Sequence, residues 1–253
     1  MSDKAKRWRA VCAYDGSELH GWQSQPGGNT VQDFIEARLG EIFSQPVRIH
    51  GSGRTDAGVH AKAQVFHFDG VWKHPPEHLG RALKCGIPAS IQIVRVDRAK
   101  PDFHARFSAT GKRYVYRIYH GDAPPWESRY CWSMGRRRLD IEAMNDAARR
   151  LLGKHDFTAF GANRGDGSTD NPVKDMRRLE ISKRGSHLTL TTEASGYLYK
   201  MVRSLTGSLV EVGLGKLSPD ELEAIFKSRQ RPYRIQTAPA NGLWLEKVFY
   251  DAR

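Results

Sequence analysis

The chain has 253 residues, enough for one large domain or two of ordinary size, and its 39% apolar content supplies a real core. It carries 40 Lys and Arg against 28 Asp and Glu, a net charge of +12 with a pI near 9.8, which suits a polyanionic partner whose phosphates release condensed counterions on binding. The three cysteines, Cys12, Cys85 and Cys131, are far apart and form no Cys-x-x-Cys pair, which argues against a disulfide framework or a thiolate metal site.

The segment MSDKAKRWRAVC is charged, and no window of about 18 apolar residues occurs, so the chain reads as cytoplasmic with no membrane association. Residues 8–14, WRAVCAY, predict a short strand closed by the turn DGSELHG. Thr30 then precedes Val31, Phe34, Ile35, Leu39, Ile42 and Phe43, spaced by three and four along one helical face, and Thr30 with Asp33 has the form of a capping box. A glycine-framed stretch follows, with a strand at 63–68, a short helix near 78–85 ending before Gly86 and Pro88, and a strand at 91–96.

In GKRYVYRIYH, Tyr114, Tyr116 and Ile118 alternate with Arg113, Val115 and Arg117 as a strand requires. A helix is expected over about 140–152, and GANRGDGSTDNP, 161–172, is a loop by composition. Strands at about 174–182 and 187–193 lead to a helix over 197–212 with Met201, Leu205, Leu209 and Val212 on its core face. Ser218, Pro219 and Glu221 give a strong start for another helix, and LWLEKVFY, 243–250, closes as a strand. The pattern is α+β, divided into residues 1–105 and 106–253. The first part carries 14 basic and 11 acidic residues and the second 26 and 17, so the second holds most of the excess.

The stretch HGSGRTDAGVHAKAQVFHFD, 50–69, places Asp56 two residues after Arg54 among Gly51, Gly53 and Gly58. Several chemistries compete for it. A triphosphate loop is disfavoured because the Gly-Lys-Ser/Thr ending is missing. His60, His67 and Asp69 could ligate a metal with Asp56, although no two histidines share a helical face at zinc-hydrolase spacing. Asp56 could also cap a turn. Alternatively it is a catalytic carboxylate, kept ionised by a guanidinium and approached closely by substrate across the glycines. A single acid points away from ordinary glycoside hydrolysis, which uses a pair.

GRTDAGVHA, 53–61, resembles the signature of tRNA pseudouridine synthases of the A family. Five further blocks are similar to that family's and stand in its order: YDGSELHGWQ at 14–23, NTVQDFIEARL at 29–39, DFHARFSATGKRYVYRIY at 102–119, SGYLYKMVRSLTGSLVEVG at 195–213 and APANGLWLEKV at 238–248. His20 stands where the family frequently has Phe or Tyr, SLTGSL varies a commonly more apolar run, and the 161–172 loop is unusually polar.

The resemblance implies a pseudouridine synthase fold of two α/β domains whose antiparallel sheets flank a basic cleft, with the Asp56 loop at its floor. By position, Asp56 would be the catalytic nucleophile, Tyr114 would line the site and contact the bound base, Arg54 would help displace the target base from its stack, and Arg203 would form the supporting ion pair with Asp56. The resemblance further implies a homodimer holding tRNA across both subunits, modification at positions 38 to 40 of the anticodon stem-loop, and neither metal nor organic cofactor. A noncatalytic structured-RNA-binding protein and a metal-dependent RNA hydrolase remain as alternatives.

Overall fold

Along Trp8–Tyr14 every second side chain, Trp8, Ala10, Cys12 and Tyr14, is buried, the period of two that a strand with one face on a core requires. The computed structural model describes residues 5–163, 165 and 170–251. The chain divides into two compact units, 1–110 with 245–253 and 111–244. The sequence reading divides it once, near 105, and leaves the C-terminal strand whole; the division here falls inside two strands.

In the first unit, β1 (Lys6–Tyr14) lies between β3 (His60–Gly70) and β4 (Ile91–Arg98), antiparallel to both. Ala10 stands opposite Phe66 on one side and Val96 on the other, which fixes the register that turns all three inward. α1 (Val31–Phe43) starts on the reciprocal capping box of Thr30 and Asp33 and buries Val31, Ile35 and Leu39. It stops at Ser44, whose left-handed φ of 53° cannot continue the helix. α2 (Pro76–Lys84) contributes Leu79 and Leu83, both fully buried, each worth about 1.5–3 kcal/mol of transfer free energy. The short β2 (His50–Gly51) pairs with the far end of β3, His50 opposite His67 and Gly51 opposite Phe66. Segment 52–59 is therefore the connection between two paired strands.

The second unit takes most of β5 (Ala109–Tyr119), antiparallel to β9 (His187–Ala194), which pairs with β8 (Val173–Arg184) and that in turn with β7 (Gly153–Asp156). A short α3 (Pro125–Ser128) leads to β6 (Trp132–Ser133), which runs parallel to β5. α4 (Ile141–Arg149), α5 (Met201–Gly213) and α6 (Pro219–Ser228) complete it before β10 (Leu243–Tyr250). The Ser218–Glu221 capping box forms as expected.

α5 is buried on nearly all sides, which explains SLTGSL. Its small polar residues turn inward without orphaned hydroxyls, because Thr206 donates to Val202 O and Ser208 to Ser204 O. Gly207 lets the chain cross closely: a Cβ there would lie 2.2 Å from Gln236 O. The helix begins at Met201, not 197, because Lys200 adopts a left-handed φ of 57°. Residues 164 and 166–169 of the polar loop lie outside the described residues. Among the described residues no helix is long and apolar enough to cross a membrane.

Candidate active site

The loop 52–59 alternates between pinned and presented residues. Thr55 is buried and its Oγ1 lies 2.8 Å from the hydroxyl of buried Tyr14. Arg54 on one side is exposed and Asp56 on the other is half-exposed. The Asp56 carbonyl closes a turn by accepting from Val59 N–H at 3.1 Å, and Gly58 supplies the positive φ of 78° beside it. At the loop's start, Gln64 donates to Gly53 O at 2.8 Å and accepts from Ser52 Oγ at 2.7 Å.

A second loop, within DGSELHGW, lies directly on this one. Trp22 N–H donates to Thr55 O at 3.1 Å and Gly58 N–H donates to Leu19 O at 3.4 Å. Gly21, at φ 87°, makes the approach possible, since a Cβ would stand 2.6 Å from Thr55 O and 3.0 Å from the Asp56 carbonyl carbon. Trp22 is itself buried against Tyr14 and Phe66, with ring centroids 6.2 and 6.0 Å away. Gly21 thus serves close backbone packing against the Asp56 loop, and the aspartate sits on fixed rather than loose chain.

The candidate metal donors are committed elsewhere. His60 is fully buried with Nδ1 3.1 Å from both Gly16 N and Asp15 Oδ1. His67 accepts from Ala105 N–H through Nδ1, and burial, then His104, push its pKa down to about 4. Asp69 receives two bonds from Arg7, at 2.9 and 2.8 Å, and that hydrogen bonding holds its carboxyl below the usual range. Among the described residues no three His, Cys, Asp or Glu side chains are grouped to hold a metal.

Tyr114 and Arg203 lie in the second unit. Tyr114 is 7% exposed, opposite Thr192 in the β5–β9 pair, and meets Tyr197 edge to face at 5.1 Å. Burial pushes the Tyr197 phenol up, and its hydroxyl donates to Lys112 O at 3.3 Å with Thr192 Oγ1 3.1 Å away. Arg203, in the first turn of α5, makes a reciprocal pair with Ala238: its Nε donates to Ala238 O at 2.7 Å and its carbonyl accepts from Ala238 N–H at 3.0 Å. The 235–238 segment is held in turn by Arg231, whose guanidinium donates to Phe160 O, Ser204 Oγ, Ile235 O and Thr237 Oγ1. Desolvation lowers the Arg231 pKa, and its acceptors are all neutral. Sequence reasoning missed Arg231, Thr55 and Tyr197, whose partners are mostly remote in the chain; Thr55 alone had a signal, its place between Arg54 and Asp56.

The four sequence-predicted residues are placed two in each unit: Arg54 and Asp56 share one loop of the first, and Tyr114 on β5 and Arg203 on α5 lie in the second. A family model described as tRNA pseudouridine synthase matches residues 10–108 and 147–251, which include Arg54, Asp56 and Arg203 and leave Tyr114 between the two matched stretches. The chain is 41% identical over 240 residues to tRNA pseudouridine synthase A of Dechloromonas aromatica (strain RCB), covering 94% of this chain and 90% of the relative. It is 41% identical over 246 residues to that of Brevibacillus brevis, covering 97% and 100%. With the Bacillus subtilis (strain 168) protein of the same name it shares 38% over 247 residues, 97% of this chain and 99% of the other. Matches that run through both units and the loop bearing Asp56 establish that the chain belongs to the tRNA pseudouridine synthase family.

Proposed function

We propose that the protein isomerises uridine to pseudouridine at positions 38, 39 and 40 of the tRNA anticodon stem-loop, with Asp56 as catalytic nucleophile. The observation that carries this reading is the Asp56 loop, in which the buried threonine fixes the backbone while the adjacent carboxylate is presented on a glycine-framed turn. In the reaction the N1–C1′ glycosidic bond breaks, the uracil turns, and a C5–C1′ bond forms. C5 gives up its hydrogen and N1 gains one, so no redox partner is required.

Tyr114 contacts the base in this reading, and Arg54 fills the space left when the nucleotide is drawn from its stack, a step that costs a few kcal/mol. Arg203 is the charge partner that keeps Asp56 ionised. The protein acts as a cytoplasmic homodimer, each tRNA held across two copies. Its surplus of basic residues supports the RNA reading, because phosphate neutralisation offsets the cost of base extraction.

Asp56→Ala is expected to abolish pseudouridine formation while leaving tRNA affinity within a few fold. Tritium release from C5-labelled uridine in tRNA measures the step directly. Turnover above a trace in the alanine variant refutes the nucleophile, and intact RNA at full activity in EDTA is the result expected of this chemistry rather than of a metal-dependent hydrolase.

A further inference from the structure

Residues 99–108 join β4 to β5 and are tied down at most backbone N–H groups. Phe103 N–H donates to Lys100 O at 3.0 Å, His104 N–H to Ser108 Oγ at 3.0 Å and Ser108 N–H to His104 O at 2.9 Å. The three between go to imidazoles: Ala105 to His67 Nδ1 at 3.2 Å, and Arg106 and Phe107 to His104 Nδ1 at 3.1 and 3.3 Å. An imidazole nitrogen that accepts carries no proton, so both rings are neutral with the proton on Nε2. Burial lowers both pKa values, in keeping with that state.

From this fixed segment Phe107 projects with 76% of its surface exposed. Its ring lies 4.3 Å from that of His104, which lies 4.5 Å from His67, which lies 5.0 Å from His50. Four rings therefore pile from the surface down to the β2–β3 pair, and β2 is the strand that leads into the Asp56 loop. The Arg106 guanidinium carbon is 5.8 Å from the Phe107 centroid. A large apolar ring left in solvent on mobile chain would be unremarkable. Here the backbone on both sides is fixed, and the ring rests against His104 with the Arg106 guanidinium over it, so its exposed surface is held in place for a flat partner.

We propose that Phe107 is a stacking platform for an unpaired base of the tRNA and that Arg106 addresses the adjoining phosphate, an assignment that rests on the tRNA reading above. Charge favours RNA over a protein partner: residues 98–108 carry Arg98, Lys100 and Arg106 against Asp102 alone, in a chain of net charge +12. Every nucleobase has a π face for such a ring, whatever its sequence.

Phe107→Leu keeps the apolar bulk and removes the π face, whereas Phe107→Trp enlarges it. With unmodified tRNA transcript, the leucine variant is expected to bind about 5- to 100-fold more weakly and the tryptophan variant within about two-fold of the parent. Neither should change the sedimentation coefficient or the unfolding temperature. Arg106→Gln should lower the slope of log affinity against log salt by about 1. A leucine variant that binds tRNA like the parent overturns the platform, and so does a changed oligomeric state with unchanged RNA affinity, which would assign the ring to a second copy of this chain. An unaltered salt slope in Arg106→Gln overturns the phosphate contact even where the Phe107 variants fold poorly. Should the parent protein release no tritium from C5-labelled tRNA, the enzymatic reading fails while the binding comparison still judges the platform.

Discussion

Gly21→Ala separates the architecture of the site from its chemistry, because Gly21 touches the Asp56 loop without contributing a functional group. At φ 87° an alanine takes on about 1–2 kcal/mol of left-handed backbone strain. Its Cβ would stand 2.6 Å from Thr55 O, where ordinary contact begins at 3.4 Å, so the two loops must part by about 0.8 Å. Neither can yield alone. Gly21 O accepts from Val31 N–H at the start of α1, and Thr55 is fastened to Tyr14 and Trp22. Part of the displacement is passed to the Asp56 backbone, and misplacement on the ångström scale lowers turnover by up to about 100-fold. The expected result is a kcat lower by about 10- to 100-fold in single-turnover pseudouridine formation, with tRNA affinity unchanged and an unfolding temperature lower by a few degrees. A folded Gly21→Ala protein with the parent's kcat refutes the claim that this crossing positions Asp56.

Gly207→Ala, in the buried α5, would drive a Cβ to 2.2 Å from Gln236 O and is expected to destabilise by at least about 1–3 kcal/mol, read by denaturant unfolding. His67 is neutral in the folded state with its pKa depressed to about 4, while the unfolded chain titrates near 6.5. Its contribution is therefore fully present above pH 6.5 and is lost as pH falls from 6.5 toward 4, where the unfolded state binds the extra proton. His67→Gln should flatten the dependence of stability on pH in that window, and an unchanged slope contradicts the assignment.

Local signals were legible where cause and consequence lie a few residues apart. Thr30 with Asp33 and Ser218 with Glu221 cap their helices because both partners of each box fall within one turn. The apolar period of Val31–Phe43 placed α1 because a single face is buried. Tyr197 and Leu198 fit the α5 period equally well, yet the left-handed Lys200 excludes them, and nothing in a lysine announces that conformation. In the candidate site, the GRTDAG motif marked the loop, but not what steadies it. Tyr14 lies 41 residues from Thr55, and Arg231 reaches back 71 residues to Phe160, separations at which periodicity carries no information. The two-residue β2 is likewise defined by its partner strand and not by its own composition.

The neutral acceptors around Arg231 separate grip from geometry. Counterions weaken attraction between opposite charges, and tRNA binding through phosphates falls steeply as salt rises. A guanidinium held by carbonyls and hydroxyls has no opposing charge to screen, so the segment that anchors Arg203 through Ala238 keeps its shape as ionic strength increases. Salt can then strip RNA from this protein and leave the Arg203 anchor assembled, ready for the next substrate once the salt is diluted.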